Sequence, residues 1–317
     1  MSFQLNEPVL VIGIGGAGSK LAREASKSFS SECLVISNDQ RDLHSECNSI
    51  YVSTKPVLNP SVQLIRGSAI QSESQIRDEV SQYSSVIIMA NLAGKSGAAM
   101  APVISQICKE ENKNVISFAI MPFKYEKDRI FNSGISLKRL KTNSNCTIVI
   151  DNDAFLDSNP NLSAKTCFEI TNSAILHVVG SLSESSIGEE AHLLTVSNSN
   201  TDYENSLKDS MKMLYENALP NSVKRSLIYV IGGKDASIGM INAISKISGS
   251  ILNEDGAQVE VSTSSSEESK IVMLSSIQGE TRFDKYDPLD IISKENSLDW
   301  ENPECSINCN LDLRQLE

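Results

Sequence analysis

The sequence predicts a doubly wound α/β fold with a mostly parallel sheet, and three observations carry that reading. Short apolar runs recur at 9–12, 34–37, 85–90, 114–119 and 146–150, several without polar alternation, as strands covered on both faces require. Helical patterns begin between them, near Ser19, Gln63, Ala98 and Phe131, so strand and helix alternate with short connections. The first strand leads into Gly13-Ile14-Gly15-Gly16-Ala17-Gly18-Ser19 and then a helix. A glycine turn at a helix N-terminus lets backbone N–H groups and the helix dipole face an anion. The same turn can instead serve only close packing of helix on strand.

Further along, Pro160-Asn161-Leu162-Ser163 opens a helix from Ala164 to about Ser181, with apolar residues on more than one side. Beyond the polar stretch Ser183-Glu184-Ser185-Ser186 come a helix at 202–219, a strand at 226–231, a helix at 237–248 and strands at 258–262 and 270–275. The expected organisation is an α/β unit at 1–162, a central helix at 163–182, a smaller α+β unit at 183–279 and an acidic, flexible tail at 280–317.

Composition excludes several classes. Hydrophobic residues make up 40% of the 317, enough for a real core. The net charge of −12 argues against a nucleic-acid binder, which needs a basic footprint. Half of that charge lies in 280–317, where ten acids face four bases. No run of eighteen apolar residues is present, so no transmembrane segment is expected. The opening residues Met1-Ser2-Phe3-Gln4-Leu5-Asn6-Glu7 lack the pattern of a secretion signal. Seven cysteines form no C-x-x-C pair, and Cys305 with Cys309 lacks a second pair, so no metal site is expected. Reduced thiols and a cytoplasmic location are the expectation.

A second loop, from Met89 through Gly94-Lys95-Ser96-Gly97 to Pro102, also follows an apolar strand and precedes a helix. Two such loops on neighbouring strand ends can face one ligand. Gly94-Lys95-Ser96 is not a Walker loop, because that spacing needs glycine where Met89 stands.

Taken in order, these pieces resemble the FtsZ/tubulin family from about Val9 to Gly279. Gly13-Ile14-Gly15-Gly16-Ala17-Gly18 is similar to its first glycine loop. Ile36-Ser37-Asn38-Asp39-Gln40-Arg41-Asp42-Leu43 is similar to a strand-end loop, and Leu58-Asn59-Pro60-Ser61-Val62 to its Ala-Asn-Pro-Glu-Val loop. Ala93-Gly94-Lys95-Ser96-Gly97-Ala98-Ala99 stands at the Gly-Gly-Gly-Thr-Gly-Thr-Gly signature. Met121-Pro122-Phe123-Lys124-Tyr125-Glu126, Ile150-Asp151-Asn152-Asp153 and Phe168-Glu169-Ile170-Thr171-Asn172 match further family segments.

The resemblance implies a tubulin/FtsZ-like fold and a GTP or GDP site, with Mg2+ as an accompanying ion. Gly15, Gly16 and Gly18 would cradle phosphate from one side, and Gly94, Ser96 and Gly97 from the other. Asn38, Asp39 and Asn59 belong to the same set by their motifs. Glu126 would accept from ribose hydroxyls, Arg129 stands near the place of a family arginine, Phe168 would pack on guanine and Asn172 would bond its edge. Each has a plainer reading: Asn38 or Asp39 as helix caps, Asn59 as turn chemistry, Phe168 as core, Glu126 and Arg129 as solvated charges.

Departures shape the functional expectation. Ala93, Lys95, Ala98 and Ala99 replace three glycines and a threonine of the signature. Lys95 can offset the loss as a point charge near phosphate, or stand merely exposed. Lys20 and Ser173 stand where the family has base-reading Asn and Asp, which leaves the preference for guanine over other bases open. Hydrolysis in the family uses a loop Asn-x-Asp-x-x-Asp supplied by the neighbouring subunit. Here the aligned positions are Ser186 and, as candidate catalytic residue in trans, Glu189. The expectation is a divergent, head-to-tail polymerising GTP-binding protein of cytoskeletal or cell-division type, with slow or absent hydrolysis. One alternative is a pseudo-GTPase scaffold, its site empty or sparsely occupied, that partners another FtsZ-family protein. A remoter one is a Rossmann-type NAD oxidoreductase, since Gly13-x-Gly15-x-x-Gly18 is followed by Asp39 about 20 residues on. The terminal 311–317, Leu-Asp-Leu-Arg-Gln-Leu-Glu, resembles the short apolar–basic peptide that ends many FtsZ chains, which implies docking to a membrane adaptor; the plainer reading is an ordinary Leu/Asp tail.

Overall fold

Burial on both faces decides where the central strands lie. The computed structural model describes residues 2–286 apart from 30, 44–45, 183–186, 190, 199–201, 233–236, 253–255 and 266–268. Its strands are β1 (Ser2–Phe3), β2 (Val9–Ile14), β3 (Glu32–Ser37), β4 (Asn48–Tyr51), β5 (Ser85–Asn91), β6 (Asn114–Met121), β7 (Cys146–Asp151), β8 (Ile187–Gly188), β9 (Ala191–Val196), β10 (Val223–Gly232), β11 (Gln258–Ser265) and β12 (Lys270–Ile277). The helices are α1 (Gly15–Phe29), α2 (Val62–Gln71), α3 (Glu73–Ser81), α4 (Lys95–Glu110), α5 (Lys127–Asn143), α6 (Asn152–Ser158), α7 (Ala164–Leu182), α8 (Tyr203–Asn217) and α9 (Ile238–Leu252).

One sheet runs in the order β11-β10-β12-β9-β7-β6-β5-β2-β3-β4. From β4 to β9 all neighbours are parallel; β12 pairs antiparallel with β9 and β10, and β11 is parallel to β10. Alternate residues of β2 feed two cores. Leu10, Ile12 and Ile14 pack with Ile65 and Ile104 on one face; Val9 and Val11 pack with Leu21, Ile175 and Val178 on the other. Each such aliphatic side chain contributes about 1.5–3 kcal/mol of burial free energy. The mostly parallel α/β class read from the sequence is the observed one.

The two units expected at 1–162 and 183–279 contribute to the same sheet. β7 and β9 join them, with Ile148 opposite His192 and Ile150 opposite Leu194. The central helix α7 packs on both α1 and β9. At 282–286 the chain turns back onto α5, where a Cβ on Gly134 would lie 2.6 Å from Tyr286 Cβ. Residues from 287 on, including 311–317 and both Cys305 and Cys309, lie outside the described residues.

Three helices start earlier than the apolar pattern suggests: α1 at Gly15, α4 at Lys95 and α5 at Lys127. For α1 the reason is backbone. Gly15 takes a φ of +65°, which turns the chain out of β2 directly into helix.

Candidate functional site

The carboxyl ends of β2, β3, β5 and β6 carry nearly all the candidate residues to one rim of the sheet, where open α/β sheets bind ligands. A Cβ on Gly15 would lie 2.9 Å from Ser96 Cβ, so the first glycine turn touches the first turn of α4. A Cβ on Gly97 would lie 2.1 Å from Asn91 O, so α4 needs glycine there to sit against the end of β5. Gly94 is the extended N-cap residue of α4.

Polar bonds tie the remaining loops to this contact. Ser96 Oγ donates to Asn38 Oδ1 at 2.6 Å. Lys95 Nζ donates to Asn59 Oδ1 at 2.8 Å and to Pro60 O at 3.3 Å. Arg129 Nη1 donates to Ala93 O at 3.3 Å and to Glu126 Oε1 at 2.7 Å. Glu126 Oε2 accepts from Phe123 N at 3.2 Å. Phe123 in turn packs edge-on against Phe168, ring centres 5.6 Å apart, and stacks with Tyr125 at 5.2 Å. Phe168 is 37% exposed, so its ring is open to a ligand. Asn172, one turn further along α7, is half-buried.

Some predicted residues are engaged in other ways. Gly18 is buried, and a Cβ there would lie 2.3 Å from Met89 O, so its small size serves the packing of α1 on β5. A Cβ on Gly16 would lie 2.8 Å from Asp42 Oδ1. Asp39 caps the short turn Gln40–Asp42 and binds Arg41 through both carboxylate oxygens. Its bond to Arg41 holds the Asp39 carboxyl down at about 2. Ser173 accepts from the buried Lys270 Nζ at 2.6 Å. Lys20 is exposed on α1. Glu189 is exposed at the amino end of β9, opposite the rim; Ser186 lies outside the described residues.

The substituted signature carries no backbone strain. Among described non-glycine residues only Asn112 has a positive φ, so Ala93, Lys95, Ala98 and Ala99 adopt ordinary conformations. Their Cβ atoms therefore cost no left-handed strain, and the left-handed turn at this rim is made by Gly15 in the other loop.

Sequence reasoning missed the aromatic platform of Phe123 and Tyr125, although the alternation Phe-x-Tyr was visible. It also missed a charged cluster beneath. Lys124 bonds Asp157 and lies 3.0 Å from Asp153 Oδ2, and Arg282 reaches Asp151 at 2.8 Å and Asp153 at 3.5 Å. Burial pushes the Asp151 carboxyl up, with Arg282 opposing it. No group of three or more His, Cys, Asp or Glu suited to a metal occurs among the described residues.

This donor set fits a nucleoside polyphosphate. Two helix N-termini and the Lys95 ammonium offer positive potential at one end. A carboxylate and an open aromatic ring, Glu126 and Phe168, stand at the other. An open α/β protein with a nucleotide-type site at its strand ends is the class that fold and site define.

Comparison with known proteins agrees. Residues 8–160 match the family model described as Tubulin/FtsZ family, GTPase domain. Cell division protein FtsZ 1 of Halobacterium salinarum is 28% identical over 194 residues, covering 57% of this chain and 48% of the relative. Cell division protein FtsZ of Methanothermobacter thermautotrophicus is 29% identical over 187 residues, covering 56% and 49%. The chain thus spans about half the length of the curated relatives it matches. An FtsZ dimer from M. jannaschii superposes with a TM-score of 0.66 at 18% identity, covering 86% of this chain and 88% of that one. A GTPγS-bound protofilament of CetZ2 from Haloferax volcanii gives 0.62 at 17% identity, covering 92% and 98%. The chain is thus a divergent FtsZ-like one by similarity: residues 8–160 match the Tubulin/FtsZ GTPase domain, and the curated relatives are FtsZ proteins. Among the described residues no helix is long and apolar enough to cross a membrane.

Proposed function

We propose that the chain binds GTP or GDP at this rim, associates head to tail into filaments, and hydrolyses GTP slowly or not at all. The observation that carries the reading is the continuity of contacts, from Gly15 to Ser96 to Asn38, and from Ala93 through Arg129, Glu126 and Phe123 to Phe168. Phosphates would lie on the first turns of α1 and α4, against Gly15, Gly16, Gly94, Ser96 and Gly97. Lys95 would add a fixed positive charge there, beside or in place of Mg2+. Glu126 would accept from ribose hydroxyls, Phe168 would stack on the base and Asn172 would bond its edge.

The position of Glu189 supports a head-to-tail arrangement. The six residues of β9 rise about 20 Å in all, which separates Glu189 from the rim of its own subunit. In a head-to-tail contact it would face the neighbour's nucleotide instead. Such a contact is heterologous and gives open filaments. Glu189 is longer by one methylene than the family's aspartate, so the water it would position is displaced, and hydrolysis is slow. The tail at 280–317 would tether the filament to an adaptor. Light scattering and phosphate release after adding GTP test the proposal together. Scattering that rises with little phosphate release is expected; turnover typical of a fast GTPase overturns the weakened-site claim.

One observation favours a second reading, a pseudo-GTPase that partners another FtsZ-family protein. Lys95 and Ser96, the side chains best placed for phosphate, already bond Asn59, Pro60 and Asn38. Binding must exchange those bonds. Absence of heat on titrating a folded sample with GTP favours this reading.

A further inference from the structure

A cavity of about 320 Å³ lies away from the nucleotide rim, lined by Arg23, Lys27, Glu32, Cys33, Glu46 and Cys47 among others. Its two thiols face each other by register. β3 and β4 are parallel, with Leu34 opposite Asn48 and Val35 opposite Ser49. One step toward the amino end puts Cys33 opposite Cys47. Neighbouring strands lie about 4.8 Å apart, inside the Cα separation of about 4.4–6.8 Å that a disulfide tolerates. Side-chain parity places both on the same face, and Cys47 packs against the core that buries Cys33. Both are free thiols; Cys33 is 9% exposed and Cys47 is half-buried.

We propose that Cys33 and Cys47 form a reversible dithiol–disulfide pair, oxidised through this cavity by a small disulfide of the glutathione type. The Cys47 thiolate, the more accessible, attacks one sulfur of the small disulfide, forms a mixed disulfide and releases one small thiol. The Cys33 thiol then gives its proton to solvent, and its sulfur attacks Cys47 Sγ and releases the second small thiol. Two protein thiols are oxidised, and one small disulfide is reduced to two thiols. The order follows the environment: burial, reinforced by the bond to Cys47, pushes the Cys33 thiol up and keeps it protonated until the mixed disulfide forms beside it. The ring so closed, residues 33–47, contains Asn38, Asp39 and Asp42, the last of which lies against Gly16. Oxidation therefore restrains the loop behind the nucleotide rim. This consequence, unlike the pair itself, rests on the proposed function.

Trypsin tests the pair directly, because Arg41 lies inside the ring with its side chain 89% exposed. After incubation of the full chain with oxidised glutathione, a non-reducing digest is expected to hold peptides 28–41 and 42–66 joined by one disulfide, separable by reductant. With Cys33→Ser, Cys47 is expected to stop at the glutathione adduct. Two unlinked peptides, or an adduct on Cys47 in the unsubstituted chain, overturn the proposal. Circular dichroism confirms that each sample is folded. Nucleotide titration of the oxidised and reduced forms reads the coupling separately: different affinities support it, and equal affinities overturn the coupling while leaving the cross-link result standing.

Discussion

Ser96 Oγ and Asn38 Oδ1 meet at 2.6 Å although 58 positions separate them in the chain. The bond fastens the loop after β3 to the first turn of α4, where Gly15 also rests on Ser96 Cβ. Ser96→Ala removes the donor and leaves a partly buried amide oxygen unmatched. The expected loss is about 1 kcal/mol, read as a lower urea midpoint at unchanged slope.

Gly97 offers a sharper contrast. Gly97→Ala drives a Cβ to within 2.1 Å of Asn91 O, so helix and strand end must part. Overpacking of this kind costs about 1–3 kcal/mol. Gly67, in the interior of α2, has nothing within 4 Å of its ideal Cβ. Gly67→Ala is expected to raise stability by up to about 1 kcal/mol through helix propensity. Thermal unfolding of the two variants side by side checks the opposite signs.

Asp39 predicts a pH dependence. Its bond to Arg41 holds the folded carboxyl at about 2, below the ordinary value of about 3.9. The folded state therefore favours the ionised form. The contribution is fully present above about pH 3.9 and is lost as pH falls toward 2. A side-chain NMR titration is expected to place the midpoint near 2 and, in Arg41→Ala, to move it up toward the ordinary range, part of the lowering being kept by the backbone N–H of residue 41.

The clamp between Arg282 and Asp151 predicts a larger effect. Asp151 is 1% exposed, and Arg282 lies 2.8 Å from it across 131 positions. Arg282→Met leaves a buried carboxylate without its cation. Removal of one partner from such a pair costs about 3 kcal/mol or more, so the urea midpoint of this variant is expected to fall further than that of Ser96→Ala.

Much of the fold was legible because its central strands are apolar runs. β2, β3, β5, β6 and β7 each extend a predicted run by a residue or two. β4 escaped notice because Asn-Ser-Ile-Tyr is an edge strand that buries only Ile50. β9 escaped because Ala-His-Leu-Leu-Thr-Val lacks both turn signals and clean alternation, and its partners β7 and β12 cannot be read from periodicity. At the site, the glycine turns and Phe168 were visible as motifs. The pairing of Asp39 with Arg41, of Lys95 with Asn59 and of Ser173 with Lys270 was not, because each depends on where the chain crosses itself or on which rotamer a charge adopts.

Calorimetric titration of the purified chain with GTP tests the central claim most directly. The account predicts saturable binding at one site per chain. Lys95→Met is expected to weaken it by about tenfold or more, the worth of one charge-assisted bond of about 1.5–3 kcal/mol. Phe168→Ala is expected to weaken it as well, by loss of the stacking surface. A folded sample that gives no saturable heat, or binding untouched by both substitutions, would contradict it.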